Sequence, residues 1–269
     1  MNGIVISIDP VILRLGDFEL RWYSIAIILA VIAAVAIAVR EGKRRGLPAA
    51  FFYNAAPWVL VAGLVGARLF HVIDRWPDYA GHPMAIFQVQ QGGLAIWGGL
   101  VGGGAALLLL ARMSHIPAGK LMDVMVPAIL TAQIIGRLGC IINGDAYGGI
   151  TGLPWGFIYT NPDALIPRDL LGVPTHPYPV YEMLWNGATL LVLLKLREHF
   201  PREGGLFFGY LTSYSLGRLA LSFVRQESMT IGYLQQAQVI GVVIFLVSAA
   251  LLMYLSRRVK PGAESASSP

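Results

Sequence analysis

The residues of this chain that could do chemistry are a few charged and polar groups set in long apolar runs. The densest stretch is Gly136-Arg137-Leu138-Gly139-Cys140-Ile141-Ile142-Asn143-Gly144-Asp145-Ala146-Tyr147-Gly148. It holds a guanidinium, an amide and a carboxylate within three turns of chain, and a helix that persisted through it would align Arg137, Cys140, Gly144 and Gly148 on one stripe. Arg68, Arg218 and Arg225 stand in or beside other apolar runs, and Glu182 opens another. Four arginines thus face two carboxylates, Asp145 and Glu182. A guanidinium does not shed its proton, so the positive excess calls for an anion. Its planar fork of donors suits phosphate, and the phosphates at hand beside apolar spans are lipid headgroups. A plainer reading has arginines near helix ends snorkelling to the interface and pairing with any lipid. It fits Arg68 and Arg225 better than Arg137 and Arg218, which lie a turn or more inside their runs.

The elements that must position these groups are membrane spans. Of 269 residues, 56% are hydrophobic and 13% charged, against about a quarter charged in soluble domains. An ordinary soluble protein and a disordered chain are both excluded. With Cys140 as the single cysteine there is no intrachain disulfide. A bilayer core needs about 20 apolar residues per helix, and seven runs qualify: Trp22–Val39, Phe51–Ile73, Gly92–Leu110, Leu121–Ile142, Val180–Leu194, Leu206–Val224 and Ala237–Leu255. The first lacks a basic segment before it and a small-residue cleavage pattern, so it is expected to be retained.

Basic residues set the orientation, because short cytoplasmic loops collect Lys and Arg. One set of connections carries Arg40, Lys43, Arg44, Arg45, Arg112, Lys120, Lys195, Arg197, Arg202, Arg257, Arg258 and Lys260; the other carries only Arg14, Arg21, Arg75 and Arg168. The expected fold is therefore an all-α integral membrane protein of seven transmembrane helices, N-terminus outside and C-terminus cytoplasmic. Residues 1–260 form a single polytopic domain, and 261–269, rich in Ala and Ser, form a disordered cytoplasmic tail. The Gly-, Pro- and aromatic-rich segment Gly144–Pro179 after span four forms an outer-face loop region. The net charge of +5 is then a topology signal, and no nucleic-acid partner is expected.

This orientation puts Arg68, Arg137 and Arg218 in the outer parts of spans two, four and six, with Arg225 just beyond. Glu182, Asp145, Tyr23 and Trp97 fall at the same level, and only Asp123 stands apart, at the inner interface. No metal or organic cofactor is implied, since no His/Cys cluster has ligand spacing.

The Gly136–Gly148 stretch resembles the G-R-x-G-N-F-x-N-x-E-x-x-G signature of the prolipoprotein diacylglyceryl transferases, bacterial inner-membrane enzymes with seven spans and an outside N-terminus. Other segments are similar over nearly the whole chain: Arg21-Trp22-Tyr23 at span one, Gly66-Ala67-Arg68 on span two, and Gly92-Gly93-Leu94-Ala95-Ile96-Trp97-Gly98-Gly99-Leu100 at span three. His176-Pro177-Tyr178-Pro179-Val180-Tyr181-Glu182 resembles H-P-x-Q-x-Y-E, and Gly217-Arg218 with Phe223-Val224-Arg225-Gln226 resembles R-x-x-x-E-F-x-R. Four departures from the family pattern matter. Cys140 stands for the first Asn, Asp145 for Glu, Trp97 for a frequent His, and Ser222 for the Glu after the span-six Arg.

The resemblance implies transfer of the diacylglyceryl group of phosphatidylglycerol to the lipobox cysteine thiol of a prolipoprotein signal peptide, releasing glycerol phosphate. It would occur at the outer, periplasmic side of the bacterial inner membrane. The thiol must become thiolate to attack the glycerol carbon, and the leaving phosphate needs preorganised donors. The catalytic set so implied is Arg137, Arg218, Asp145 and Tyr23; the substrate-binding set is Arg137, Asn143, Gly148, His176, Glu182, Arg68 and Arg225. The general base stays open between Asp145, Glu182 and His176. Two other functions are compatible with the same arginines: a lipid or anion transporter, and a divergent inactive paralogue that binds lipoprotein precursors. The first would show internal repeats and broken midplane helices, which the sequence does not.

Overall fold

A computed structural model describes residues 3–16, 18–88, 92–200, 202–225, 229–231 and 234–257. The expected tail, 261–269, and Gln226 lie outside the described residues. Among the described residues, seven long helices occur where seven apolar runs are expected: α1 (Trp22–Arg44), α2 (Ala49–Asp74), α4 (Ile96–Met113), α5 (Ala118–Asn143), α6 (Tyr178–Leu196), α7 (Gly205–Ser222) and α8 (Gln236–Arg257), with a five-residue α3 (Trp76–Ala80) after α2. Five of them, α1, α2, α4, α5 and α8, are long and apolar enough to cross a membrane.

The remaining two long helices are diluted by polar residues turned inward. On α6 the buried positions include Tyr178, Glu182, Asn186, Thr189 and Leu193, a near i, i+4 stripe, while Leu184, Leu191 and Val192 are exposed. Apolar out and polar in suits a helix whose surroundings are lipid.

Two element boundaries differ from expectation for the same reason. The third run begins its helix at Ile96, not Gly92, because Gly92 and Gly93 take φ of 87° and 73°, left-handed values that no helix continues through. α5 stops at Asn143 because Gly144 takes φ 73°, the usual left-handed helix terminator. The stripe expected to run on to Gly148 is therefore cut after Cys140.

The N-terminal residues, for which the sequence suggests no element, form strands. β1 (Ile4–Ile6) pairs in parallel with β4 (Phe157–Tyr159), Ile4 opposite Phe157. β2 (Val11–Leu15) and β3 (Phe18–Arg21) form an antiparallel hairpin. A further short pair, β5 (Met229–Ile231) and β6 (Leu234–Gln235), precedes α8. The segment after α5 is ordered around β4, with Phe157, Tyr159, Ala164, Ile166 and Leu170 packed as a small core of their own. The Tyr159 hydroxyl donates to the Ile141 carbonyl at 2.9 Å. Burial, with Asp145 and Cys140 nearby, pushes this phenol well above its usual range, so it stays a donor at any working pH.

The chain divides into two compact units, Met1–Ala34 with Met125–Pro269, and Val35–Val124. In the first, Val126, Leu130, Leu193, Leu206 and Tyr210 form a buried core shared by α5, α6 and α7. In the second, α2 and α4 pack through glycines. A Cβ on Gly66 or on Gly98 would overlap the other's carbonyl, and one on Gly102 would overlap the Ala62 carbonyl. Small residues allow this approach, from which helix association in lipid draws its dispersion energy. Gly98→Val is expected to lower the folded yield and melting temperature in detergent, whereas Gly104→Ala, with nothing within 4 Å of its added Cβ, is expected to be silent. Equal melting temperatures would refute the role of this contact. Asp123 is 2% exposed and pairs with Arg45 at 3.1 Å.

Candidate active site

The first unit brings together four of the charged groups singled out by sequence. Arg137 lies on α5, Glu182 on α6, Arg218 on α7 and Arg225 three residues past the end of α7. Glu182 is 5% exposed and is held from both sides. Its Oε2 pairs with Arg137 Nε, and its Oε1 accepts from Arg218 Nη1 at 3.1 Å. Tyr178, one turn earlier on α6, donates its hydroxyl to the same Oε1 at 3.1 Å and accepts from Arg218 Nη1 at 2.9 Å. The ring of Tyr178 lies under Arg225, whose guanidinium carbon is 5.2 Å from the centroid.

This arrangement has the donors and charge to hold an anion. Two guanidiniums share one carboxylate, so this pairing leaves a net positive charge. Among the described residues Arg218 hydrogen-bonds only through Nη1, which leaves Nε and Nη2 available. Arg137 uses Nε on Glu182 and Nη1 on the Cys140 thiol at 3.6 Å, leaving Nη2. A phosphate can therefore be met by two forks whose orientation is set in advance, the condition under which such donors act most strongly. Glu182 serves as the counter-charge that makes the burial of Arg137 and Arg218 tolerable. Both of its oxygens are engaged by guanidiniums, so of the three base candidates it is the one least able to reach a substrate thiol.

Cys140 packs with Ala146 and Tyr178 in a buried cluster that Tyr23 and Leu221 complete. Gly139 admits Tyr23 here; a Cβ on it would come within 3.0 Å of the Tyr23 Cα. Cys140→Ala removes a thiol from this cluster and is expected to cost about 1 kcal/mol of stability and to leave activity within about twofold of wild type. A complete loss of activity would move Cys140 from packing to chemistry.

Several other expected site residues sit at junctions of backbone. Gly148 donates to the His176 carbonyl at 3.0 Å and bridges Arg225; a Cβ on it would lie 2.7 Å from the His176 Cβ. It joins the loop before α6 to the end of α7. Asn143 closes α5, with its Oδ1 accepting from Arg21 Nη1 at 3.3 Å and its carbonyl accepting from Leu165 N–H at 2.9 Å. His176 Nδ1 lies 3.2 Å from the Tyr181 hydroxyl, which also accepts from Trp155 at 3.0 Å. Asp145 is exposed and pairs with no cation among the described residues. Ser222 is buried and hydrogen-bonds the Leu219 carbonyl at 2.7 Å and Gln238 at 3.0 Å.

Arg68 belongs to the second unit, and its fork is spent there. It is 7% exposed and donates to the carbonyls of Ala85, Ile86, Gly92 and Gly93 at 2.6 to 2.9 Å, with its guanidinium over the Tyr79 ring. The left-handed turn at Gly93 allows this, since a Cβ there would crowd Arg68 Nη1 and His71. Arg68 thus organises the loop leading into α4, whose first turn carries the half-exposed Trp97. Tyr178 and Arg21 went unnoticed in the sequence as site residues. The available signal for Tyr178 was its i, i+4 spacing to Glu182, which places both on one face of a helix.

Fold and site together define an integral-membrane protein with a buried, positively charged cluster, organised around one carboxylate and suited to a phosphate-bearing lipid. Comparison with known proteins narrows this class. The sequence profile of the prolipoprotein diacylglyceryl transferase family matches residues 10–254. The chain is 37% identical over 262 residues to the phosphatidylglycerol–prolipoprotein diacylglyceryl transferase of Halalkalibacterium halodurans, covering 97% of this chain and 90% of that one. It is 34% identical to the enzyme of the same name from Limosilactobacillus reuteri, covering 95% and 94%, and 36% identical to that of Synechocystis, covering 93% and 90%. The chain belongs to the prolipoprotein diacylglyceryl transferase family.

Proposed function

We propose that this protein transfers the diacylglyceryl group of phosphatidylglycerol to the lipobox cysteine of prolipoproteins, the first step of lipoprotein maturation, at the outer side of the bacterial inner membrane. In this reading all seven long helices cross the membrane, with the N-terminus outside and the C-terminus cytoplasmic. The observation that carries the residue assignment is the pair of preoriented guanidiniums, Arg137 and Arg218, sharing Glu182 and keeping donors free.

The reaction forms a carbon–sulfur bond and breaks a carbon–oxygen bond. The peptide thiol gives its proton to a base, and the thiolate sulfur attacks the glycerol carbon that bears the phosphate ester. The electron pair of the breaking bond leaves on the phosphate oxygen, releasing glycerol phosphate with one more negative charge than the ester carried. Arg137 and Arg218 meet that new charge, so they stabilise the transition state more than the bound lipid, which is what accelerates a reaction. Asn143 and Tyr23 serve as hydrogen-bond partners of the lipid headgroup. Asp145 and His176 are the base candidates, since neither is locked between two cations.

Purified protein mixed with phosphatidylglycerol and a lipobox peptide should add the mass of one diacylglyceryl group to the peptide. Binding of lipid or peptide without that gain would favour a non-catalytic scaffold and overturn the reading.

A further inference from the structure

Tyr178 touches three of the four charged groups of the site, and nothing assigns it a role. In the segment that resembles H-P-x-Q-x-Y-E it occupies an unspecified position, so the likeness to the family is silent about it. It is 1% exposed, among the largest fully buried side chains. A buried phenol satisfied by a single partner would be ordinary; this one is used at both ends. Its hydroxyl accepts from Arg218 and donates to Glu182, closing a triangle with the Arg218–Glu182 pair. Its face carries Arg225. One side chain on the first turn of α6 thereby sets the direction of two guanidiniums on and beyond α7.

We propose that Tyr178 is a positioning residue for the phosphate-binding arginines: its hydroxyl aims Arg218 and its ring seats Arg225. The proposal rests on the reading that these arginines bind the lipid phosphate. The physical basis is the bond count at Arg218. Because Nη1 is tied twice, rotation of the fork is blocked and Nε and Nη2 point in a fixed direction. Without the phenol hydroxyl one tie remains, and the fork can swing about it. A donor that must reorganise as charge develops contributes less to the rate than one already in place, so the hydroxyl acts on turnover. The ring acts on Arg225, which it seats by a cation–π contact, and so on lipid affinity.

The two contributions separate in two variants of the full-length protein, assayed with phosphatidylglycerol vesicles and a lipobox peptide. Tyr178→Phe keeps the ring and removes one charge-assisted hydrogen bond, and it should lower kcat about tenfold with KM for the lipid little changed. Tyr178→Leu removes the ring as well and should raise KM about fivefold in addition. A purely structural tyrosine would lose folded protein without dividing kcat from KM in this order. If Tyr178→Phe does not accumulate, 3-fluorotyrosine at position 178 keeps the shape and alters only hydroxyl acidity. A changed kcat at constant KM supports the proposal, and an unchanged kcat overturns it. Arg218→Ala is run beside them. Turnover surviving in Arg218→Ala overturns the phosphate-site reading and this proposal together; loss of turnover there, with wild-type kcat and KM in Tyr178→Phe, overturns the positioning role alone.

Discussion

Arg137→Ala should lower kcat for diacylglyceryl transfer by about a thousandfold while the protein stays folded. Single preorganised donors to developing negative charge are worth about a hundred- to thousandfold, and an arginine aimed at transferring phosphate reaches the upper part of that range or beyond. Folding survives because Glu182 keeps Arg218 and the Tyr178 hydroxyl as partners when Arg137 is gone, so no buried charge is abandoned. Arg137 is also only partly buried, with a side chain 26% exposed, and its replacement opens no sealed cavity. The measurement is turnover of a lipobox peptide against melting temperature in the same detergent. Near-normal turnover would remove Arg137 from the transition state. A collapse of both quantities together would make it a structural residue. Arg137→Lys should recover little, because an ammonium cannot hold Glu182 through one nitrogen and present another in a fixed direction.

Glu182→Ala should have the opposite profile, with stability falling first and activity falling with it. Two guanidiniums would then lose their common counter-ion in a region mostly closed to water. Breaking a buried ion pair by deleting one member costs about 3 to 5 kcal/mol, and the partial exposure of the Arg137 and Arg218 side chains, 26% and 22%, places the expectation near the low end, at about 3 kcal/mol. Glu182→Gln keeps an acceptor for Arg218 and Tyr178 and should lose roughly half as much. Thermal unfolding of the purified variants reads this directly. A Glu182→Ala protein as stable as wild type, yet inactive, would instead make the carboxylate a reacting group and return it to the base candidates.

The helices were legible because their cause is local. A run of about 20 apolar residues specifies a buried, self-satisfied helix whatever else surrounds it, and every expected run carries one, with ends shifted by a few residues. The shifts at Ile96 and Asn143 come from glycines with left-handed φ, a conformation that glycine permits but does not announce. The importance of Arg137, Glu182 and Arg218 could likewise be read from the rarity of charge within apolar sequence.

Partnership could not be read in this way. Arg68 and Arg218 each stand in an apolar run close behind a glycine, and the sequence leaves both as anion-site candidates. Yet Arg68 spends its fork on the carbonyls of the loop before α4, and Arg218 keeps two nitrogens for another molecule. The N-terminal strands escaped notice because β1 finds its partner about 150 residues away, at β4, and three-residue strands carry no periodicity. Tyr178 escaped because an aromatic next to proline in an apolar chain is unremarkable until three charged groups close around it. Composition and pattern decide what is expensive to bury and which segments must be helical, since both follow from a residue and its near neighbours. Which carboxylate balances which arginine, and which donors are left for a substrate, follows only from distances between helices far apart in the chain, so those assignments came from the tertiary structure alone.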